Sequence, residues 1–161
     1  MRKTIRAFLM ISAVSSALWA ADPAAASLPA TFKSASELAA ALQKSIARGG
    51  DQATAPITNE SHYRVNIVHR EKPGPAMAHA TGPARGTEVH YILEGAATVV
   101  TGGTLVRPAD AKPGAGTIEN GVTRHVAKGD VVVIPAGTPH WYKDVDGSVT
   151  YLEVRFDVEL K

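Results

Sequence analysis

The chain contains no cysteine. Disulfides, thiolate metal sites and cysteine nucleophiles are therefore excluded, and any metal must be held by imidazole, carboxylate or other oxygen ligands. Lipidation on the usual bacterial cysteine pattern is excluded for the same reason. Also missing are Gly-x-Ser-x-Gly, a phosphate-binding glycine loop, a dinucleotide fingerprint and His-Glu-x-x-His, so the usual hydrolase, kinase, dehydrogenase and zinc-protease readings have no support. There is no basic run and no basic stripe interleaved with aromatics, which disfavours nucleic acid as a partner. The apolar run Ala7 to Ala21 carries no charge, but it is short for a transmembrane span, which needs roughly 20 mainly apolar residues.

Arg2, Lys3 and Arg6 precede that run, and basic residues before a short apolar stretch are the pattern of a secretory signal peptide. Residues 1–20 are read as that signal, with small residues offering cleavage after Ala20 or after Ala26. An uncleaved membrane anchor is the alternative. Three of the 17 Lys+Arg residues lie in this segment, so cleavage after Ala20 leaves 14 basic against 15 acidic residues, a balance of −1. The alkaline pI of the whole chain then carries no message about nucleic acid or anionic membranes. The expected product is exported, periplasmic or extracellular, with no membrane attachment after cleavage. Its length of about 135 to 140 residues suits one domain with one core.

Residues 27–61 read as a leader, a short helix and a linker. Ser34-Ala-Ser-Glu37 has capping-box spacing, Leu38, Leu42 and Ile46 recur every four residues, and Gly49-Gly50 ends the pattern. Asp51 to Ser61 is polar and carries a proline, as a linker would. From His62 to the end, residues 62–161, the texture changes to short β-rich segments punctuated by Gly and Pro. Strands are expected at Tyr63–Arg70, Glu88–Leu93, Ala96–Thr101, Thr104–Arg107, Val122–Val126, Val131–Ile134, His140–Lys143 and Val149–Phe156. Gly102-Gly103 reads as a tight hairpin turn, and Pro108 to Gly116 as a surface excursion. The fold class is all-β, a sandwich, jelly roll or barrel, with one short N-terminal helix.

The most specific stretch is Gly129-Asp-Val-Val-Val-Ile-Pro135-Ala-Gly137-Thr-Pro-His140-Trp-Tyr-Lys-Asp144. It resembles the second sequence motif of the cupins: Gly, five residues, Pro, one residue, Gly, two residues, His, three residues, Asn. Every spacing is met, with Asp144 in place of the final Asn. Glu88-Val-His90-Tyr-Ile-Leu-Glu94-Gly95 resembles the second half of the first cupin motif, a Glu followed after six residues by Gly. The first half, usually His-x-His, is degraded: His79 stands for the first histidine, Thr81 occupies the place of the second, and eight residues separate His79 from Glu88. The resemblance covers Tyr63 to Phe156 and is closest to exported single-domain cupins with Ile-Leu-Glu-Gly followed by Val-Thr-Gly-Gly. It implies a cupin-type jelly-roll β-barrel and carries no defined activity with it.

The resemblance implies one divalent metal ion held by His140, Glu88 and His79 or His90. Glu88 and His90 are two apart on a strand and so share a face. A carboxylate with two or three imidazoles suits Fe, Mn, Ni, Cu or Zn. His90 is a ligand, or else an inward polar residue that hydrogen-bonds Glu88, orients a ligand or serves as general base. His62, His69 and His125 have no motif support, although His69 has the option of facing inward. Tyr63, Tyr91, Trp141 and Tyr142 fill core or line a pocket mouth, and Glu94, Asp130 and Asp144 read as structural turn residues. Two functions follow: a metal-dependent enzyme of small organic substrates working by isomerisation, elimination or oxygenation, or a non-catalytic module that binds a small ligand or metal. Pairing into a homodimer through strands, with the helix or Tyr63–Arg70 as the contact, is the expected assembly.

Overall fold

The computed structural model describes residues 29–74, 76, 86–107, 109 and 116–157. The expected signal peptide, His79 and most of the Pro108 to Gly116 excursion lie outside the described residues.

Helix α1 spans Ala35–Ile46 and starts where the capping box places it. The Ser34 hydroxyl accepts from the Glu37 N–H at 3.2 Å, and the Ser34 N–H donates to Glu37 Oε2 at 2.8 Å. Two N-terminal donors that the helix leaves open are thereby satisfied. Buried Ser45 accepts from the Thr54 N–H at 2.9 Å and ties the helix to the first strand. No helix among the described residues is long and apolar enough to cross a membrane.

Eight strands follow: β1 Ala53–Asn59, β2 Tyr63–Arg70, β3 Thr87–Thr101, β4 Thr104–Val106, β5 Thr117–Glu119, β6 Val122–Ala127, β7 Val131–Ile134 and β8 His140–Phe156. Six form one antiparallel sheet in the order β1-β2-β8-β3-β6, with β7 also paired to β3, and β4 and β5 form a separate ribbon. The expected closed barrel is corrected here: among the described residues the sheet stays open, with β1 at one edge. The linker reading of Asp51 to Ser61 is corrected as well, because this segment contains β1. Pro56 misled the pattern; a proline is tolerated on an edge strand or at a bulge, and the register of β1 shifts between Pro56 and Thr58.

Two pairs of expected strands fuse. Glu88–Leu93 and Ala96–Thr101 become β3, and His140–Lys143 and Val149–Phe156 become β8. The fusion works because bulges let each long strand change direction without losing its partner. The β3–β8 register slips between Ile92 and Glu94, Gly95 and Ala97, and Thr98 and Val99. The start of β8 is thus folded over its own end, and His140 and Tyr142 reach residues of the β3 start. Gly102 and Gly103 do turn with positive φ, at 74° and 69°. They lead out of the main sheet into the β4–β5 ribbon rather than closing a hairpin between β3 and β4.

Pro135 to Thr138 forms a β-turn between β7 and β8, closed by the Thr138 N–H on the Pro135 carbonyl at 3.0 Å. Gly137 has φ 79°, a value that a type II turn demands of its third residue. The two strands joined by this turn both pair with β3, at Glu88–Tyr91 and at Thr101 respectively. Behind it lies the apolar core, with Val68, Ile92, Ala97, Val99, Val126, Tyr142, Val149 and Tyr151.

Candidate metal centre

Antiparallel register lays the inner face of the sheet out in rows. One row runs Val68, Tyr151, Ile92 and belongs to the core; the next, two residues along each strand, runs Asn66, Glu153, His90; the next runs Arg64, Arg155, Glu88. Side chains two apart share a face, so apolar core passes directly into a charged cluster. Glu88 is 1% exposed, His90 2%, His140 4% and Arg155 7%. These residues, with Arg70, Tyr142 and Tyr151, line a cavity of about 290 Å³.

Each carboxylate divides its two oxygens between an anchor and a common point. Glu88 Oε1 pairs with Arg155 Nη2 at 2.8 Å, while Oε2 lies 3.2 Å from His90 Nε2 and 3.9 Å from His140 Nε2. Glu153 Oε1 accepts from Asn66 Nδ2 at 2.9 Å, while Oε2 lies 4.0 Å from His90 Nε2 and 3.9 Å from Arg155 Nη2. The imidazoles are oriented from behind. His140 Nδ1 lies 3.1 Å from the Thr138 carbonyl, which can only accept, so Nδ1 carries the proton and Nε2 faces Glu88. His90 Nδ1 lies 3.1 Å from the Tyr142 hydroxyl, a partner that can donate or accept and so suits either tautomer.

Two tyrosines floor the cavity. Their rings stack with centroids 5.0 Å apart and 6° between planes, and His90 sits 4.6 Å from the Tyr151 ring. Burial pushes the Tyr151 hydroxyl up to about 12, against a partial lowering by Arg70, and burial pushes Tyr142 up as well. Both therefore stay neutral and able to donate across the physiological range. Arg70 lies over the Tyr142 ring at 5.4 Å, donates to the Tyr151 hydroxyl at 3.2 Å and also bonds Gln52 Oε1.

The donor set fits a small cation. Ligand bonds of about 2.0 to 2.2 Å place donor atoms on one ion roughly 3 to 4 Å apart, and the Glu88–His90, Glu88–His140 and His90–Glu153 separations of 3.2, 3.9 and 4.0 Å lie in that range. The tightest group, with one donor atom from each residue within 4.8 Å of the others, is Glu88, His90 and Glu153. Glu88 and His90 were expected in the site from the sequence; Glu153 was not. His140 reaches Glu88 from the folded-over start of β8. His79 is outside the described residues.

The other expectations divide. His69 faces away from the cavity, with Nδ1 on Thr150 Oγ1 at 2.8 Å, and His125 pairs with Asp146 at 2.9 Å on the surface. Tyr142 points in; Tyr63 and Tyr91 are exposed, and Trp141 donates to the Gly74 carbonyl at 2.7 Å. Asp130 is structural, accepting from the Ala127 N–H at 2.8 Å. Arg64, Asn66, Arg70, Tyr151, Glu153 and Arg155 were all missed. One signal pointed to them: Tyr151, Glu153 and Arg155 alternate along a strand, as do Arg64 and Asn66, so their faces were readable as polar stripes.

An all-β jelly-roll sheet with carboxylates and imidazoles converging on an internal cavity defines the class of protein. The chain belongs to the cupin family, whose sequence profile matches residues 47–154. No curated protein matches the chain in sequence. Similar solved structures include the cupin domain of Cnp3 from Schizosaccharomyces pombe, at 14% identity and TM-score 0.50, covering 68% of this chain and 63% of that one. The iron(II) form of HppE in complex with substrate is similar at 14% identity and TM-score 0.51, covering 67% and 51%. KdgF from Halomonas sp. is similar at 14% identity and TM-score 0.49, covering 69% and 84%. The chain spans less than two thirds of the length of the first two.

Proposed function

We propose that this chain is an exported cupin that binds one divalent metal ion and acts on a small organic substrate in the 290 Å³ cavity. The observation that carries this reading is the convergence of Glu88, His90 and Glu153, one donor atom from each within 4.8 Å of the others, with His140 Nε2 reaching Glu88 Oε2 at 3.9 Å. HppE, which shares the fold, holds iron(II) and a substrate in its crystal structure. Glu88, His90 and His140 would hold the ion with Glu153 as the added carboxylate, and His79 is a further ligand by its place in the first motif. Such an ion supplies Lewis acidity toward a carbonyl or enediolate oxygen, water activation or dioxygen chemistry.

The chain's own residues do the rest. Arg155 and Asn66 fix the carboxylates, Thr138 and Tyr142 fix the imidazoles, and the tyrosine floor excludes water from one side. His90 is also the residue placed to take or give a proton, with the Tyr142 hydroxyl behind it at 3.1 Å as the relay partner. Isomerase, lyase and oxygenase chemistry all suit this arrangement, and a non-catalytic ligand-binding module is the second reading.

Elemental analysis of protein purified after metal-replete expression tests the proposal. The expected result is about one Fe, Mn, Ni, Cu or Zn per chain, with retention reduced at least about tenfold in Glu88→Gln and in His140→Ala, and by a comparable factor in Glu153→Gln. Metal-free wild-type protein under those conditions would sink it.

Export rests on Arg2, Lys3 and Arg6 before the uncharged run Ala7 to Ala21. The expected N-terminus of the protein recovered outside the cytoplasm is Ala21 or Ser27, read by N-terminal sequencing. Retention of Met1 on the cytoplasmic protein alone would contradict it.

A further inference from the structure

The cavity holds more positive charge than its metal-ligand set needs. Arg64, Arg70 and Arg155 face Glu88 and Glu153 across it, three guanidinium cations against two carboxylates. A divalent ion would add two further positive charges, and buried charge without compensation is costly.

The arginines are not equally occupied. Arg70 is committed to the Tyr151 hydroxyl, Gln52 and the Tyr142 ring. Arg155 has one nitrogen on Glu88, but its Nε is buried with no hydrogen-bond partner among the described residues. The Nε of Arg64 is in the same state, and Arg64 forms no ion pair among the described residues. A buried unsatisfied donor costs about 1 to 3 kcal/mol, and natural proteins keep few of them.

Register makes the arrangement more pointed. Arg64 and Arg155 are direct cross-strand partners on β2 and β8, and like charges directly opposite one another repel. Nothing in the apolar core requires this pair. Two neighbouring guanidinium groups, each with its Nε lacking a hydrogen-bond partner among the described residues, are instead suited to the oxygens of a carboxylate or phosphate, which arginine binds bidentately.

The same two side chains also border a second cavity of about 340 Å³ lined by Glu60 and Asp157, but neither carboxylate forms an ion pair with them among the described residues. In the metal-site cavity three cations face two carboxylates. That excess, and the ion pair from Arg155 to Glu88 at 2.8 Å, place the acceptor of the anion beside the metal-ligand group.

We propose that the substrate of this cavity is a small organic anion whose carboxylate or phosphate group is seated on Arg64 and Arg155, with its remaining atoms directed toward Glu88, His90 and His140. The inference rests on the reading of this cavity as the substrate site. It names the substrate class and assigns Arg64 and Arg155 as specificity-determining residues.

Isothermal titration of the mature protein with inorganic phosphate and with acetate, at matched ionic strength against chloride, tests it. Saturable binding of at least one oxyanion is expected, weakened at least about tenfold in Arg64→Gln and by a smaller factor in Arg64→Lys, which keeps the charge but loses the bidentate fork. Arg64 is the informative position because its loss breaks no ion pair; circular dichroism confirms that each variant is folded. Phosphate binding more tightly than acetate marks a phosphorylated substrate, and the reverse order marks a carboxylate. Absence of saturable oxyanion binding, or binding unchanged in Arg64→Gln, overturns the proposal. Metal content measured on the same samples separates the two readings: an Arg64-dependent anion site in protein that takes up no metal leaves this inference standing while the metal centre falls, and the opposite pattern does the reverse.

Discussion

Glu88→Ala is expected to destabilise the metal-free protein by roughly 3 to 5 kcal/mol, the cost of leaving one partner of a buried ion pair uncompensated. Arg155 is 7% exposed and Glu88 1%, and their 2.8 Å pair lies one row from the apolar core. Removing the carboxylate leaves the buried guanidinium with only the longer contact to Glu153 Oε2, at 3.9 Å, as an ion pair among the described residues. The double variant Glu88→Leu/Arg155→Met removes both charges and is expected to recover most of the loss, because apolar residues of similar volume often replace a buried pair at little net cost. Urea unfolding in the presence of a chelator reads both values, provided the transitions are two-state. A double variant as unstable as the single one would show that lost volume, and not a stranded charge, is the cause.

Gly95→Ala is expected to cost roughly 2 to 5 kcal/mol. Gly95 has φ 73°, which by itself penalises an L-residue by about 1 to 2 kcal/mol. A Cβ there would also run into the Ser148 carbonyl oxygen and lie 2.8 Å from its carbon, so β3 and β8 would have to part at the bulge, adding about 1 to 3 kcal/mol. Gly102→Ala is the control. Its φ is 74° and a Cβ would meet nothing within 4 Å, so only the backbone term applies. If denaturant midpoints fall equally in the two variants, the close approach of the strands is not what requires a glycine at the end of the first motif.

Local features were legible because their partners are near in sequence. The Ser34 to Glu37 capping box, the Pro135 to Thr138 turn and the strand bounds Tyr63–Arg70 and Val131–Ile134 depend on neighbours a few residues away. β1 was read as linker because an edge strand tolerates Pro56 and polar residues that a central strand would reject. The expected barrel stayed open for a related reason: closure depends on which edges meet, and no residue pattern along one strand records that.

The candidate site divides along the same line. Glu88 and His140 were read from motif spacing, and His90 from strand alternation with Glu88. Glu153 and Arg155 belong to no motif. Their strand alternates polar and apolar residues, and the ordinary reading turns the apolar side inward. Here the polar side lines the cavity. Likewise Val131 and Val133 are 58% and 59% exposed while Ile134 is 1%.

From the sequence alone came the all-β class, the N-terminal helix, the turns, and the pairing of Glu88 with His90 on one face, because strand alternation and turn chemistry are set by bonds within a few residues. Only the tertiary structure decided which face of each strand points inward and which distant strands become neighbours. The fold-over of β3 and β8 at their bulges brings His140 to Glu88, and the register of β2 against β8 sets Arg64 beside Arg155. Both depend on bulges and long-range pairing, in which a shift of one residue would send every side chain to the opposite face.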